Sequence, residues 1–183
     1  MPPSDASVRH ALPADADAIA GIAARAHEAT YRGIVPDPVL ADWIQSAPTT
    51  WRTAFVGLEP GTATRIWVAE GDGQLLGYAT TSPGKDWWLP PIEGSGELTN
   101  LYLDPDAVGT GVGHLLYEHA VTDLRERGFN PFVVWAFRDN PLARRFYDRM
   151  GLTIDVPDHD WVLGGVPCPI VRFRLDWPLD ERA

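Results

Sequence analysis

Residues 97–114 read Glu97-Leu98-Thr99-Asn100-Leu101-Tyr102-Leu103-Asp104-Pro105-Asp106-Ala107-Val108-Gly109-Thr110-Gly111-Val112-Gly113-His114, and the rest of the chain takes its reading from them. The first seven carry the apolar and β-favouring residues of a strand. Asp104-Pro105 breaks it, glycines alternate at 109, 111 and 113, and a helical pattern begins. A strand that feeds a glycine turn at a helix N-terminus presents bare backbone N–H groups beside the positive end of a helix dipole. That arrangement is an anion site and suits phosphate best.

Downstream of the turn, Leu115, Leu116, His119, Ala120 and Leu124 mark a helix that ends at Gly128. Phe132 to Phe137 is an unbroken apolar run, as in a strand covered on both faces. Asn140 reads as an N-cap, Pro141 as the first helical residue and Gly151 as the C′ stop, with Leu142, Phe146 and Met150 as the buried row. Two strands follow, around Trp161–Leu163 and Ile170–Leu175.

Upstream, residues 1–6 read as disordered and Ser7 to Ala11 as a short strand. A helix opens at Pro13, buries Ile19, Ile22, Ala23 and Ala26, and fades at Gly33. Residues 34–60 read as a second, broken helical region: Val39, Leu40, Trp43 and Ile44 share a face, and Trp51, Phe55 and Val56 continue after Pro48. Thr64 to Glu70 and Leu75 to Thr81 are strands joined by a hairpin at Gly71-Asp72-Gly73. The order β, α, α, β, β, β, α, β, α, β, β gives an α/β fold, a mixed sheet with helices on both faces, in one domain over 1–183.

The 183 residues suffice to bury a core without staples, at 45% hydrophobic and 22% charged. A formal charge of −10 argues against nucleic acid and for a small cation such as an amine, or reflects solubility alone. A single cysteine, Cys168, rules out an internal disulfide. No signal-peptide pattern and no membrane-length apolar run occurs, so the expectation is a cytoplasmic protein that engages no membrane. No His/Cys cluster has metal-ligand spacing, and no metal is expected.

The glycines alone are a weak signal. A dinucleotide fingerprint needs a glycine where His114 stands, which disfavours a nicotinamide-binding oxidoreductase, and no Gly-Lys-Ser/Thr string forms a P-loop.

The arrangement as a whole resembles the GNAT superfamily of acyl-CoA-dependent N-acetyltransferases. Leu101-Tyr102-Leu103-Asp104-Pro105 with Gly109 to Leu116 is similar to that family's acetyl-CoA loop, and Asn140, Ala143, Phe146, Tyr147 and Gly151 to its later motif. Residues 13–15 and 31–36 resemble one branch of the family, so the likeness runs from residue 8 to about 175.

The resemblance implies a central, mostly antiparallel sheet of six to seven strands, with the fourth and fifth splayed to admit the pantetheine arm of acetyl-CoA. It implies cofactor contacts at Leu101, Tyr102, Leu103, Val108, Gly109, Thr110, Gly111, Val112, Gly113, His114, Asn140, Ala143 and Phe146. A backbone N–H around Leu101 would polarise the thioester carbonyl. Tyr147 corresponds to the proton donor to the CoA sulfur; the plain alternative is a packing pair with Phe146. Glu97 corresponds to a general base, made basic enough by burial; alternatively it faces water, or holds the substrate cation without taking its proton. The family usually opens its loop with Arg or Gln; Val108 stands there, so diphosphate would rest on backbone N–H groups and bind more weakly.

The implied activity is direct acetyl transfer from acetyl-CoA to a primary amine of a small molecule or peptide, in a ternary complex. A non-catalytic acyl-CoA sensor of the same fold is the rival. His27, Glu28, Tyr31, Arg32, Trp43 and the Trp87–Trp88 pair would border the acceptor cleft, and the C-terminal strands would form a homodimer contact.

Overall fold

In a computed structural model, residues 3, 5–56, 62–85 and 89–178 are described. The strands are β1 (Ser7–His10), β2 (Arg65–Gly71), β3 (Gln74–Pro83), β4 (Gly96–Leu103), β5 (Phe132–Phe137), β6 (Thr153–Leu163) and β7 (Val166–Leu175). The helices are α1 (Ala16–Tyr31), α2 (Asp37–Val56), α3 (Val112–Glu126) and α4 (Pro141–Arg149). Single 3-10 turns at Pro13–Asp15 and Pro105–Ala107 lead toward α1 and α3.

The strands form a sheet in the order β1-β2-β3-β4-β5-β7-β6. All neighbours are antiparallel except β4 and β5, which run parallel. The expected mixed, mostly antiparallel sheet is present.

Strand alternation sorts the core into two layers. Trp67 and Ala69 of β2 and Ala79 of β3 turn to Val112, Leu116, Ala120 and Leu124 of α3. The residues between them, Ile66, Val68 and Tyr78, turn to Ile19, Ile22 and Ala23 of α1. Ile19 and Ile22 are fully buried, and replacing either with Ala would cost roughly 2–5 kcal/mol. Gly77 has no room for a side chain, because a Cβ there would meet Leu103 Cδ2 at 2.5 Å and the Tyr102 carbonyl oxygen at 2.8 Å.

Three expectations need correction. The region after Gly33 is one helix over Asp37–Val56 with Pro48 inside it, not a broken pair. Pro48 lies on the solvent side, while buried Ala47 and the Trp51 ring packed edge-on against Tyr78 at 4.8 Å hold both halves to the same layer. β6 begins eight residues earlier than its apolar stretch suggests, because Thr153–Asp160 buries no face and is held by pairing with β7. Leu142 is exposed, and the residue of α4 that is buried is Tyr147.

Candidate active site

The site begins where the sheet opens. β4 and β5 pair only at Gly96–Phe132 and Glu97–Val133, and beyond these positions the strands part. β4 also carries a bulge: Thr81 pairs with Leu98 and Thr80 with Asn100, so Thr99 has no opposite residue and its hydroxyl donates to the Thr80 carbonyl at 3.2 Å. A bulge bends the strand and re-aims side chains. Leu98 and Leu101, three apart, both pack toward α3, while Tyr102 turns toward α1.

Two cavities flank the opening. One of about 460 Å³ lies against α3 and α4, the other of about 740 Å³ against α1 and α2. They share Tyr31, Leu98, Thr99, Asn100, Tyr102, Trp135 and Ala136 as a common wall.

The smaller cavity gathers most of the residues singled out for cofactor contact. Leu101, Tyr102, Leu103, Val108, Gly109, Gly111, Gly113, His114, Asn140, Ala143, Phe146 and Tyr147 all line it. Thr110 and Val112 do not: the Thr110 hydroxyl donates to the Ala107 carbonyl at 2.7 Å, and Val112 is wholly buried in the core. Those two positions offer backbone rather than side chain. Gly109 and Gly111 sit at φ +83° and +95°, which side-chain-bearing residues rarely adopt. Gly111 is the N-cap of α3 with no capping side chain, which leaves the first N–H groups of the helix open. At Gly113 a Cβ would press Leu103 Cδ1 at 3.2 Å, so glycine there lets α3 lie against β4. Arg25 of α1 bonds Asp104 at 2.6 Å and ties the start of the loop to the opposite layer.

Val108 is exposed and brings no charge to the loop. His114 and Arg149 line the same cavity as Val108. His114 contacts Glu118 at 3.1 Å and Met150 Sδ at 3.3 Å. Arg149, at the end of α4, lines the same cavity and makes no ion pair among the described residues. Sequence spacing did not single out Arg149; the signal was available, since it lies one helical turn after Phe146.

Tyr147 is buried at 6% exposure. Desolvation first, then the neighbouring Tyr102 and Tyr117 hydroxyls, hold its phenol well above its ordinary pKa, so it keeps its proton at neutral pH. Asn140 accepts from the Ala143 N–H at 3.1 Å, the expected helix cap.

Glu97 stands on the other side, lining the larger cavity with its carboxylate accepting from the Lys85 N–H at 3.2 Å. It is buried at 3% exposure, not a strand-edge group facing water. Tyr31 and Trp43 line that cavity too, whereas Glu28 and Arg32 pair with each other at the exposed end of α1. His27 also lines it; desolvation lowers its pKa to about 4, and its buried Nδ1 has no hydrogen-bond partner. Trp87 and Trp88 lie outside the described residues.

His119 is exposed with its ring edge-on to Trp67 at 4.4 Å. Cys168 is buried opposite Trp161 on β7, its thiol pushed up in pKa by burial, and lines neither cavity. Among the described residues no group of three His, Cys, Asp or Glu is placed to hold a metal, and no helix is long and apolar enough to cross a membrane.

Residues 27–152 match the acetyltransferase (GNAT) family. The chain is 28% identical over 139 residues to a mycothiol acetyltransferase of Rhodococcus jostii, covering 66% of this chain and 43% of that protein. It is 37% identical over 89 residues to a mycothiol acetyltransferase of Cellulomonas flavigena, covering 46% of this chain and 25% of that one. It therefore spans less than half the length of these relatives. In fold it is similar to the PaiA N-acetyltransferase of Thermoplasma acidophilum in complex with coenzyme A, with a TM-score of 0.72 at 19% identity over 92% of this chain and 98% of that one. The family match covers both the glycine turn before α3 and the Asn140-capped α4, which the fold brings to one cavity: the chain belongs to the acetyltransferase (GNAT) family.

Proposed function

We propose that this chain moves an acetyl group from acetyl-CoA to a primary amine of a small molecule or peptide by direct attack in a ternary complex. The observation that carries the reading is the shared wall at Leu98–Asn100: a glycine cradle with a protonated Tyr147 on one side, a buried Glu97 on the other.

The residues present fit acetyl-CoA. The open N–H groups at the start of α3 suit its diphosphate, with Arg149 as the adjacent cation in place of the missing loop Arg or Gln. The parted strands leave β4 backbone beyond Glu97 unpaired with β5, which suits an extended amide-bearing arm lying as an added strand. Asn140, Ala143 and Phe146 border that arm, and a β4 N–H around Leu101 polarises the thioester carbonyl.

In the transfer, an amine lone pair forms the new C–N bond as the C–S bond breaks. The amine must first be neutral, and Glu97 takes its proton or holds the cation until water does. Tyr147 gives its proton to the departing thiolate, and the second amine proton, released as the amide forms, restores the phenol through solvent, so no free anion is expelled into an apolar cleft. Cys168 lines neither cavity, which supports direct transfer over an acyl-enzyme. The domain acts in the cytoplasm, and the exposed Ile154, Val162 and Val166 of β6 and β7 supply a homodimer surface.

Release of CoA thiol over a panel of primary amines tests the reading. A catalyst releases CoA with at least one amine, and the release falls in the Tyr147→Phe variant. A protein that CoA stabilises against heat, but that releases none with any amine, is a sensor instead.

A further inference from the structure

The larger cavity has a composition that selects among amines. Its volume of about 740 Å³ lies in the range of sites for drug-sized ligands. Its apolar wall is made of rings drawn from both layers of the fold. Trp161 is stacked between Trp43 at 5.6 Å and Phe137 at 5.7 Å, Tyr31 meets Phe137 at 5.0 Å, and Trp51 meets Tyr78 at 4.8 Å. Five elements contribute these six rings, so the apolar wall is a product of tertiary assembly rather than of one helix face.

Charge is scarce there. Among the described lining residues the charged ones are Glu97, which is buried, and Lys85, which is exposed at the rim. A free amino acid needs a fixed cation or a cluster of N–H donors for its carboxylate. A polyamine needs a second carboxylate at a distance, and a phosphorylated amine needs several cations. Hydroxyl-bearing side chains also line the cavity, among them Thr50, Thr53, Thr62, Thr64, Thr80 and Thr99, so polar groups on the acceptor find partners there and the stacked rings are what set its apolar body. Among the described lining residues the cavity supplies ring faces for an apolar body and one carboxylate, Glu97, beside the shared wall where the amine must arrive. Ring faces also attract an ammonium group before it loses its proton.

We infer that the acceptor is an arylalkyl primary amine, its ring held among Trp43, Phe137 and Trp161 and its amino group directed to Glu97 at the wall shared with the cofactor-side cavity. This inference rests on the acetyl-transfer reading above for its chemistry, but not for its binding.

The test has two arms. In the first, kcat/KM for acetyl-CoA-dependent turnover is compared for 2-phenylethylamine, tryptamine, spermidine, glucosamine and alanine. The arylalkyl amines are expected to exceed the other three by about 100-fold, because those leave the ring wall unfilled. In the second, 2-phenylethylamine is titrated calorimetrically into the wild type and into Trp43→Ala and Trp161→Phe. Trp43→Ala should weaken binding about tenfold, Trp161→Phe should retain most of it, and both should bind CoA as the wild type does. Preference for spermidine, glucosamine or alanine overturns the inference and leaves acetyl transfer standing. Equal binding by Trp43→Ala and the wild type, or no binding at all, also overturns it. Retained binding that weakens in Trp43→Ala, with no CoA release from any amine, supports the ligand class and sinks the transfer reading instead.

Discussion

The Tyr31 and Tyr102 hydroxyls lie 2.7 Å apart, joining α1 to β4 across the wall that the two cavities share. Burial holds both phenols above their ordinary pKa, so the pair stays neutral and fixes the end of α1 against the opened edge of β4. The cofactor-side and acceptor-side groups are therefore set on one rigid partition.

Tyr147→Phe removes a proton donor without changing the packing of the ring. Turnover at saturating substrates is expected to fall about 10- to 1,000-fold, with the affinity for CoA nearly unchanged. A kcat equal to that of the wild type across the pH range would assign Tyr147 to packing alone.

Glu97→Gln keeps the shape of the buried group and removes its charge. Its kcat/KM is expected to drop about 100-fold near neutral pH and to recover as alkaline solvent deprotonates the amine. Full kcat/KM retained at low pH would exclude a role as base.

Arg149 and Val108 line the smaller cavity, the first bringing a charge and the second none. Arg149→Gln should weaken CoA binding about 5- to 20-fold, and more at low than at high salt. Val108→Arg should strengthen it, because it restores a cation at the mouth of the glycine turn. CoA titrations that show no change in Arg149→Gln would remove the residue from the site.

His27 offers a stability test. Desolvation lowers its folded pKa from 6.5 to about 4, so the unfolded chain binds the proton more readily. Its neutral form is favoured at and above pH 6.5, and stability is lost as pH falls from there toward 4. The loss amounts to roughly 3 kcal/mol at most. His27→Gln should flatten this part of the curve of Tm against pH relative to the wild type; parallel curves would count against the buried, neutral ring.

Asn140 separates structure from binding. Asn140→Ala should cost about 1 kcal/mol through the lost cap on Ala143, visible in urea unfolding. Asn140→Ser keeps a cap and a shorter side chain, so it should recover the stability. If it still raises the KM for acetyl-CoA, Asn140 touches the cofactor; an unchanged KM confines it to capping.

Much of the frame was legible because its signals are local. Gly109 and Gly111 need a backbone that glycine alone adopts readily, Asn140-Pro141 starts a helix by its own hydrogen bond and fixed φ, and Phe132–Phe137 is apolar at every position. β6 was underestimated because an exposed edge strand has no buried face to write a period into its residues. Pro48 misled for the complementary reason. Its intrinsic penalty is local, but the packing of Ala47 and Trp51 that outweighs it comes from the sheet.

The sequence by itself determined the strand, glycine turn and helix at residues 97–126, the capped α4 and the family resemblance, since spacing and backbone preference act within a few residues. Only the tertiary structure decided which face each side chain reaches. Tyr147 of α4 and Glu97 of β4 come to opposite sides of one wall where β4 parts from β5, and five separate elements bring their rings to the larger cavity. Those outcomes depend on contacts between residues far apart in the chain, and no local pattern encodes them.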